Sequence, residues 1–382
     1  MHSELVSLNR PDQIKSLLGE SGPCVSVYFP LNRQTLNPGD EARRWKGVVR
    51  ELGESTPRLG EKGRELVHSL TDWHALSEGR TGKERTLVVF RSPQHFSRMW
   101  IRAEMAERIA VGPEFLIRPL LPLLANPVFC VLALSQNDTR LLRCTLNSSE
   151  EIPLTGAVGN FEQFMNSAKP DHIRDNRAAA GPGGGSTRGI TFGTASNMED
   201  HDEYLANFFR QIDRSLAATL KETGEPVILA AVEHELSLYR SLSDYPHLLE
   251  EGIQGAPNGL KGGEMHARAL AVLDRHRHNV LKAVLAEYNH LAGGGRATNR
   301  LKEIVTAAHD GRVNKLIVPD SMEQAGSMDE ASHRVKAKEG DGEEYDLLNS
   351  AAVQTLLHGG QVFVAPNNKM PNGSPLAAIF RY

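Results

Sequence analysis

Apolar residues in the first third of the chain form short dense runs and helical repeats that alternate along the sequence. A continuous apolar run of about four to eight residues is typical of a buried strand, and apolar residues at three- and four-residue steps are typical of a helix. These rules predict strands over 24–30, 86–90 and 96–101, and helices over 40–52 and 59–76. The apolar segment 115–124 contains Pro119 and Pro122, so it is predicted to be a connector rather than a regular helix.

The middle of the chain combines a hairpin, a long aperiodic stretch and a strand–helix–strand alternation. Apolar runs over 128–135 and 140–146 flank turn-forming residues and predict the hairpin. Residues 153–199 have almost no periodicity, which inside a compact domain indicates a functional or disordered loop. A helical repeat over 204–220 and an apolar strand over 226–232 follow. This order predicts a partly parallel sheet.

The last part of the chain alternates between the same two patterns. It predicts helices over 280–291, 301–309 and 347–357, and strands over 315–318, 362–365 and 376–382. Residues 320–344 are polar and charged, and they are predicted to form an exposed loop. This order of elements is typical of a small α/β/α sandwich.

Length and element order together predict an α/β protein of three modules. A chain of 382 residues, at roughly 100–200 residues per domain, contains two or three domains. The predicted modules are an N-terminal α/β domain at 1–125, a middle domain at 126–274 and a C-terminal α/β/α domain at 275–382. Hydrophobic residues make up 40% of the chain and charged residues 24%, which allows substantial buried cores.

Charge and cysteine content exclude several classes of protein. The formal net charge of −4 argues against a protein covered by nucleic acid over its whole surface, although local basic patches remain compatible with RNA contact. Neither a signal peptide nor an apolar run of about 18 residues is present, so a cytoplasmic protein outside the membrane is expected. Cys24, Cys130 and Cys144 lack CxxC spacing, which favours buried thiols over a disulfide framework or a zinc module. No neighbouring histidine spacing supports a catalytic cysteine.

Several segments are similar to one family. The ending 374–382 (SPLAAIFRY) resembles the "AAILR-aromatic" ending of Pelota-type proteins, and 307–318 resembles another segment of the same C-terminal domain. The strand 226–233 (PVILAAVE) resembles a middle-domain strand, and the hairpin 128–144, the Gly-rich loop and the long helix repeat that domain's order. The run 25–30 is similar to the opening of the bacterial branch. Over about two-thirds of its length, the chain resembles the bacterial archaeo-eukaryotic release factor family, within the class-one release factor and Pelota superfamily.

The resemblance implies a fold and a place of action. The middle domain is expected to be RNase H-like, and the last domain to resemble kink-turn-binding ribosomal proteins. In this superfamily the first domain reads the decoding centre and the middle loop reaches the peptidyl-transferase centre. The implied function is docking in the ribosomal A site for ribosome rescue or hibernation. The implied partner is the ribosome through its rRNA. Contact with tRNA and delivery by a translational GTPase are left open, no cofactor or metal is expected, and a monomer is favoured.

The chain departs from the family at the loop that carries catalysis in true release factors. Those proteins have Gly-Gly-Gln, which positions water against the peptidyl ester, whereas the matching positions here are Gly183, Gly184, Gly185 and Ser186. Without the glutamine, peptide release is not expected, although glycines still allow close approach to RNA. A Gly-Gly-Gln at 359–361 lies between a predicted helix and a predicted strand, so it is interpreted as a helix stop.

Two basic groups are candidates for RNA contact. The loop carries Lys169, Arg174, Arg177 and Arg188 against two aspartates, a charge excess suited to phosphate contact. A solvated loop that happens to carry arginines is the alternative. A second group on the first long helix contains residues that share or adjoin one helix face: Arg43, Arg44, Lys46 and Arg50. A solubilising surface explains that face equally well.

Two rival functions come from other classes. The first is an enzyme, either a peptidyl-tRNA hydrolase and release enzyme or an RNase H-like nuclease. Whether the protein is an enzyme is left open, and a role without catalysis is favoured. A nuclease needs acidic residues clustered at strand ends to hold Mg²⁺, and the strand 128–135 has none. The second rival is a non-ribosomal scaffold that has kept only the fold. The histidines, including His276 and His278, show no spacing for a shared metal.

Overall fold

The chain forms a mixed α/β structure with several sheets. The computed structural model describes residues 4–5, 14–20, 22–31, 38–55, 60–78, 80, 84–101, 103–124, 128–146, 148–156, 160–168, 194–260, 262–329, 334–337 and 345–382. The chain divides into two compact units, one formed by 1–126 together with 280–382 and the other by 127–279. The predicted three-module boundaries stay predictions. Among the described residues, no helix is both long enough and apolar enough to cross a membrane.

The N-terminal part of the first unit contains a five-stranded sheet. Its strands are β1 (Glu4–Leu5), β2 (Cys24–Pro30), β3 (Thr86–Arg91), β4 (Phe96–Ile101) and β5 (Arg108–Gly112). Their order is β1-β4-β3-β2-β5, with all neighbours antiparallel except β1 and β4. The helices are α1 (Lys15–Leu18), α2 (Pro38–Ser55), α3 (Gly60–His68), α4 (Trp73–Ser77) and α5 (Leu121–Leu124), the last preceded by a 3-10 turn at Arg118–Leu120.

The single helix predicted over 59–76 is wrong, because the chain forms α3 and α4 with a turn between them. The Asp72 carboxylate accepts hydrogen bonds from the backbone N–H groups of His74 and Ala75, at 3.0 and 3.2 Å. Aspartate in this position is a strong helix N-cap, so it starts a new helix instead of continuing the previous one.

The C-terminal part of the first unit contains two further sheets. The larger has strands β11 (Ala297–Thr298), β12 (Val313–Pro319), β16 (Gln361–Ala365) and β17 (Ala377–Phe380) in the order β11-β17-β12-β16. The smaller has β13 (Ala325–Asp329), β14 (Arg334–Ala337) and β15 (Tyr345–Asp346) in the order β14-β13-β15. The helices are α10 (Leu301–His309), α11 (Leu347–Leu357) and the last part of α9 (Gly262–Leu291), whose residues up to 279 belong to the second unit.

The exposed loop predicted over 320–344 is therefore wrong for β13 and β14, which pair antiparallel from Gly326 to Asp329. These strands are too short and polar to give an apolar signal. Gly326 is buried, and a Cβ there would lie 2.5 Å from the Leu347 side chain and 2.6 Å from the Lys336 carbonyl oxygen. The close approach of α11 to β13 requires a glycine at this position.

One continuous buried cluster joins the N-terminal and C-terminal parts of the first unit. One face of the N-terminal sheet packs with α2–α4 around Trp45, Leu52 and Phe29. The other face, which includes Tyr28 and Phe90, belongs to a cluster that also contains residues from α1, the 115–121 segment, α10, α11 and one face of the β12 sheet. A sheet with two apolar faces must be covered on both, and here the second cover includes helices from the far end of the chain.

Polar groups inside that cluster fix how the two parts meet. The Asn349 side chain, on α11 and 5% exposed, accepts hydrogen bonds from the N–H groups of Ile117 and Arg118 at 2.8 and 2.9 Å. Its amide donates to the Phe115 carbonyl at 2.9 Å. The buried Arg118 guanidinium donates to the Asp346 carboxylate at 2.7 Å. Buried polar groups are costly unless bonded, so these contacts favour one relative placement.

The second unit is a sheet covered on both faces. Its strands are β6 (Phe129–Ala133), β7 (Arg140–Cys144), β8 (Ser149–Ile152), β9 (Val227–Ala231) and β10 (Ile253–Gln254) in the order β10-β9-β6-β7-β8. The helices α6 (Phe161–Ala168), α7 (Thr194–Leu220) and α8 (Glu233–Leu242) follow β8 and β9. The β6–β9 and β9–β10 pairs are parallel, so the partly parallel sheet predicted from the alternation is confirmed. Side chains of α6–α8 pack on one face, and those of α9 on the other.

Replacing Asn349 with alanine is expected to lower the stability of the first unit by about 3 kcal/mol, because three buried backbone groups lose their partner. All three tryptophans lie in this unit, so urea denaturation followed by tryptophan fluorescence reports its unfolding.

The matched control is Asn367→Ala, since Asn367 is exposed and bonds only the Ser321 hydroxyl through its side-chain amide. It should change stability by less than about 0.5 kcal/mol. Equal midpoints for the two variants would contradict the role assigned to Asn349.

Candidate nucleic-acid interface

The loop residues proposed for RNA contact lie outside the described residues. This holds for all eight of them, which fall within 169–193: Lys169, Arg174, Arg177, Gly183, Gly184, Gly185, Ser186 and Arg188. The structure describes the two helices at either end of that segment, α6 ending at Ala168 and α7 beginning at Thr194. The site can therefore be built from these two helices and the strand ends near them.

Aromatic packing holds α6 against α7. The Phe161 ring lies 5.7 Å from the Phe208 ring, and the Phe164 ring lies 5.6 Å from the same ring. The Phe161 N–H also donates to the Gln136 carbonyl at 2.8 Å, just after the end of β6. The Asn160 side chain caps α6 by accepting from the Gln163 N–H at 2.8 Å. These contacts fix the point at which the chain leaves for the 169–193 segment.

The beginning of α7 contacts α8 through a polar pair. Nε2 of His234 lies 3.2 Å from the Asp202 carboxylate, and the neighbouring His201 ring packs 5.4 Å from Phe161. Beside His234, Glu235 is buried in the first turn of α8, and desolvation by burial raises the pKa of its carboxyl. A hydrogen bond with Gln136 acts in the opposite direction and lowers that pKa.

A buried carboxylate ties the middle of α7 to the end of α8. The Asp213 carboxylate, 8% exposed, accepts from the Tyr239 hydroxyl at 2.9 Å and the Ser243 hydroxyl at 2.5 Å. Its second oxygen accepts from the Asp244 N–H at 3.1 Å. Burial and the adjacent Asp213 charge raise the pKa of the Tyr239 hydroxyl. A carboxylate with three donors is well satisfied, which fixes the rotation of α7 about its axis.

That rotation turns a basic face of α7 to solvent. Arg210 and Arg214 are exposed and lie four residues apart, opposite the apolar residues that pack on the sheet. The exposed Lys221 follows seven residues later, in the turn directly after the helix end at Leu220. The Arg210 guanidinium donates to the Asn207 side-chain oxygen at 2.8 Å. Sequence reasoning used only the apolar repeat of this helix and missed the basic one, although the same periodicity shows both.

The predicted basic face on α2 is exposed, but carboxylates pair with its arginines. Arg43 lies 3.2 Å from Asp40, and Arg50 lies 3.9 Å from Glu54. Lys46 is exposed on the same helix.

Arg44 is held from two sides. Its guanidinium lies 2.7 Å from Glu107 and 4.7 Å from the centre of the Phe29 ring. The four predicted basic residues thus lie on one exposed helix, where neighbouring carboxylates reduce their net positive charge. Their role in RNA contact stays a prediction.

The Gly-Gly-Gln at 359–361 is a helix stop, which confirms the interpretation from the sequence. α11 ends at Leu357, and Gly359 has a φ of +75° and donates to the Leu356 carbonyl at 3.0 Å. At Gly360, a Cβ would lie 2.8 Å from the Val313 carbonyl oxygen and 2.7 Å from the Thr355 methyl carbon. Gln361 begins β16, and its side chain is exposed.

The three cysteines are buried and unpaired, which confirms the buried-thiol prediction. Desolvation by burial raises the pKa of both Cys24 and Cys144 to about 12. Burial also raises the pKa of Cys130, whose thiol donates to the Glu225 carboxylate at 3.2 Å. Arg143 pairs with Glu225 at 2.5 Å on the other side. Within the described ranges, no group of three or more His, Cys, Asp or Glu side chains is arranged to hold a metal ion.

The contacts at Gly360 predict that Gly360→Ala destabilises the first unit by about 1–3 kcal/mol, because the new Cβ meets backbone on one side. Gln361→Ala should change stability by less than about 0.5 kcal/mol, since its side chain is exposed. Both variants are measured by tryptophan-detected urea denaturation. Wild-type stability for Gly360→Ala would show that Thr355 and β12 can move apart.

Burial predicts slow reaction of all three thiols with a disulfide reagent at pH 8. A cysteine with a pKa of about 12 is thiolate in only about one molecule in 10⁴ at that pH, against roughly a quarter for a free cysteine. In 6 M urea three thiols should react at once, with the native protein at least about 100-fold slower. Rapid labelling of one thiol in the native protein would contradict the burial of that site.

A family model matches the middle of the chain. Residues 128–312 match the family model described as Bacterial archaeo-eukaryotic release factor family 3. The matched stretch includes the hairpin, α6, α7, the parallel strands and α10. No curated protein matches the chain.

Solved structures with similar chains come from archaea and yeast. Archaeal Pelota, from a model of ribosome-bound archaeal Pelota and ABCE1, is 12% identical over 96% of this chain and 91% of that chain, with a TM-score of 0.40. S. cerevisiae Dom34, a translation termination-like factor, is 11% identical over 66% of this chain and 63% of that chain, with a TM-score of 0.36. Archaeal termination factor aRF1 is 14% identical over 97% and 96%, with a TM-score of 0.24. The match over 128–312 confirms the resemblance to the bacterial archaeo-eukaryotic release factor family that was seen in the sequence.

Proposed function

We propose that this protein is ribosome-associated, acts in translation quality control, and docks in the A site of stalled or idle ribosomes for rescue or hibernation. The observation that carries the proposal is the family match over 128–312, which spans the hairpin, the Gly-rich segment and the long helix α7. Residues 169–193 come between α6 and α7 in the chain, and aromatic packing holds these two helices together. A long polar segment on a fixed base suits insertion into an RNA-lined cleft.

The proposed partners follow from what similar proteins bind. Archaeal Pelota has been placed on the ribosome with ABCE1, and Dom34 interacts with Hbs1. For this chain we propose the ribosome as partner through rRNA, with tRNA contact and a translational GTPase as further partners. A cytoplasmic location and a monomeric state accord with this role.

The loop sequence favours a role without peptide hydrolysis. Gly183, Gly184 and Gly185 are followed by Ser186, so the glutamine that positions water in true release factors is missing. The Gly-Gly-Gln at 359–361 cannot substitute for it, because its glycines are engaged in ending α11 and packing against Val313. We therefore propose binding and occupation, not release, as the activity.

Sedimentation of the purified protein with ribosomes, empty or carrying peptidyl-tRNA, tests the proposal. The wild type should pellet with ribosomes in a salt-sensitive manner and release no peptide. Arg174→Ala/Arg177→Ala/Arg188→Ala should lower the slope of log affinity against log salt by about two to three, as expected for three lost phosphate contacts.

The control within the same segment is Asp171→Ala/Asp175→Ala, which removes negative charge from the loop. It should bind as tightly as the wild type or more tightly. Failure of the wild type to pellet at low salt would reject the ribosomal role, and peptide release by the wild type would reject the binding-only role.

A further inference from the structure

The helix α7 has two faces of opposite character. Its apolar side chains, including Leu205, Phe208 and Leu216, are fully buried against the sheet, α6 and α8. Between residues 204 and 221, every charged side chain on the exposed face is basic. The one acid in that stretch, Asp213, is buried and bonded to α8. The exposed charges on the second half of the helix are thus basic, and Lys221 adds one more just past the helix end, next to the exposed Glu222.

Arg210, Arg214 and Lys221 form a basic stripe, called the α7 stripe below. It differs from other basic surfaces of the protein in whether carboxylates pair with its cations. Within the part of the chain that the structure describes, none of the three forms an ion pair with a carboxylate. By contrast, Arg268 and Arg275 on α9 are paired with Glu264 and Glu251 at 2.8 and 2.9 Å. An unpaired cation keeps its full attraction for an incoming anion, whereas a paired one must first lose its partner.

The geometry of the stripe suits a polyanion. At about 1.5 Å per residue, its three cations span roughly 16 Å along the helix axis. The exposed residues between Arg214 and Lys221 include Ala217 and Ala218, whose small side chains allow a ligand to come close to the helix backbone. A nucleic-acid backbone presents closely spaced phosphates along such a line, and arginine binds phosphate through two parallel N–H groups.

The composition of the stripe distinguishes RNA from an acidic protein. Protein interfaces centre on buried aromatic or aliphatic anchors. Among the described residues of α7 beyond Tyr204, the exposed side chains are polar, basic or alanine, with no large apolar group. The surface offers charge without an apolar anchor, which favours recognition of a phosphate backbone.

We propose that the α7 stripe is an RNA-contact surface that binds phosphates of ribosomal RNA. The identity of the RNA rests on the proposed function, whereas the affinity for RNA phosphate rests on the stripe itself.

The test compares the full-length wild type with Arg210→Ala/Arg214→Ala/Lys221→Ala. Alanine is a strong helix former and the replaced side chains are exposed, so the variant should keep its far-ultraviolet circular dichroism and melting temperature. Affinity is measured for two probes between 50 and 200 mM salt, ribosomes by sedimentation and a fluorescein-labelled 20-base-pair RNA duplex by anisotropy. For both, we expect at least about a tenfold loss near 150 mM salt and a salt slope lower by about two to three.

The matched control is Arg268→Ala/Arg275→Ala/Lys282→Ala on α9, which removes two arginines and one lysine from exposed helix positions. Its two arginines are already paired, so its affinity for both probes should stay within about twofold of the wild type. If the two variants lost the same amount of affinity, net charge alone would explain the loss, and the proposal would be overturned.

The outcomes separate the stripe from the ribosomal role. Stripe-dependent binding of the RNA duplex without ribosome binding would reject the proposed function and keep the stripe as an RNA surface. If the stripe variant binds both ribosomes and the duplex as tightly as the wild type, the stripe is not an RNA-contact surface. That result would also be expected if the ligand of the stripe were an acidic protein. The ribosomal role of the protein would still stand.

Discussion

The N-terminal sheet must bury two apolar faces, and much of the first unit follows from that constraint. Helices α2–α4 cover one face. The second face joins a cluster that extends through the 115–121 segment to α10 and α11, more than 170 residues later in the chain. Apolar burial alone is non-directional, so it does not determine where α11 lies. Asn349 and Arg118 supply the directional contacts, because a shift of α11 would leave their buried partners unbonded.

The elements that the sequence predicted correctly are those with strong local patterns. The strands over 24–30 and 86–90 and the helix over 347–357 are continuous apolar or periodic runs, and the structure has them at nearly the same bounds. The polar strands β13 and β14 escaped prediction because their pairing is fixed by Gly326 packing against Leu347, a contact that no local pattern reveals. α9 begins at Gly262, well before the helix predicted from 280, since charged residues interrupt its apolar repeat.

In the candidate site too, some features can be predicted from the local sequence and others depend on residues far away in the chain. The glycines and basic residues of the loop can be read directly from the sequence, as can the spacing of the stripe on α7. Their electrostatic state cannot, because pairing partners such as Glu107 for Arg44 lie 63 residues away. The basic residues on α2 and those of the α7 stripe therefore present different electrostatic fields once the chain has folded. The buried Asp213 adds a further element, since it sets which side of α7 faces solvent.

The chain order of the shared core has a consequence for synthesis. Residues 1–126 leave the ribosome before α10 and α11, which help to cover their sheet and are made more than 170 residues later. At a synthesis rate of about 5–20 residues per second, one face of the sheet lacks these helices for roughly ten to fifty seconds. During this interval the second unit, whose strands and helices are contiguous in the chain, can complete its own core. The nascent N-terminal sheet therefore keeps an apolar face exposed for longer than the second unit does, although it is made earlier, and such exposed faces are prone to aggregation.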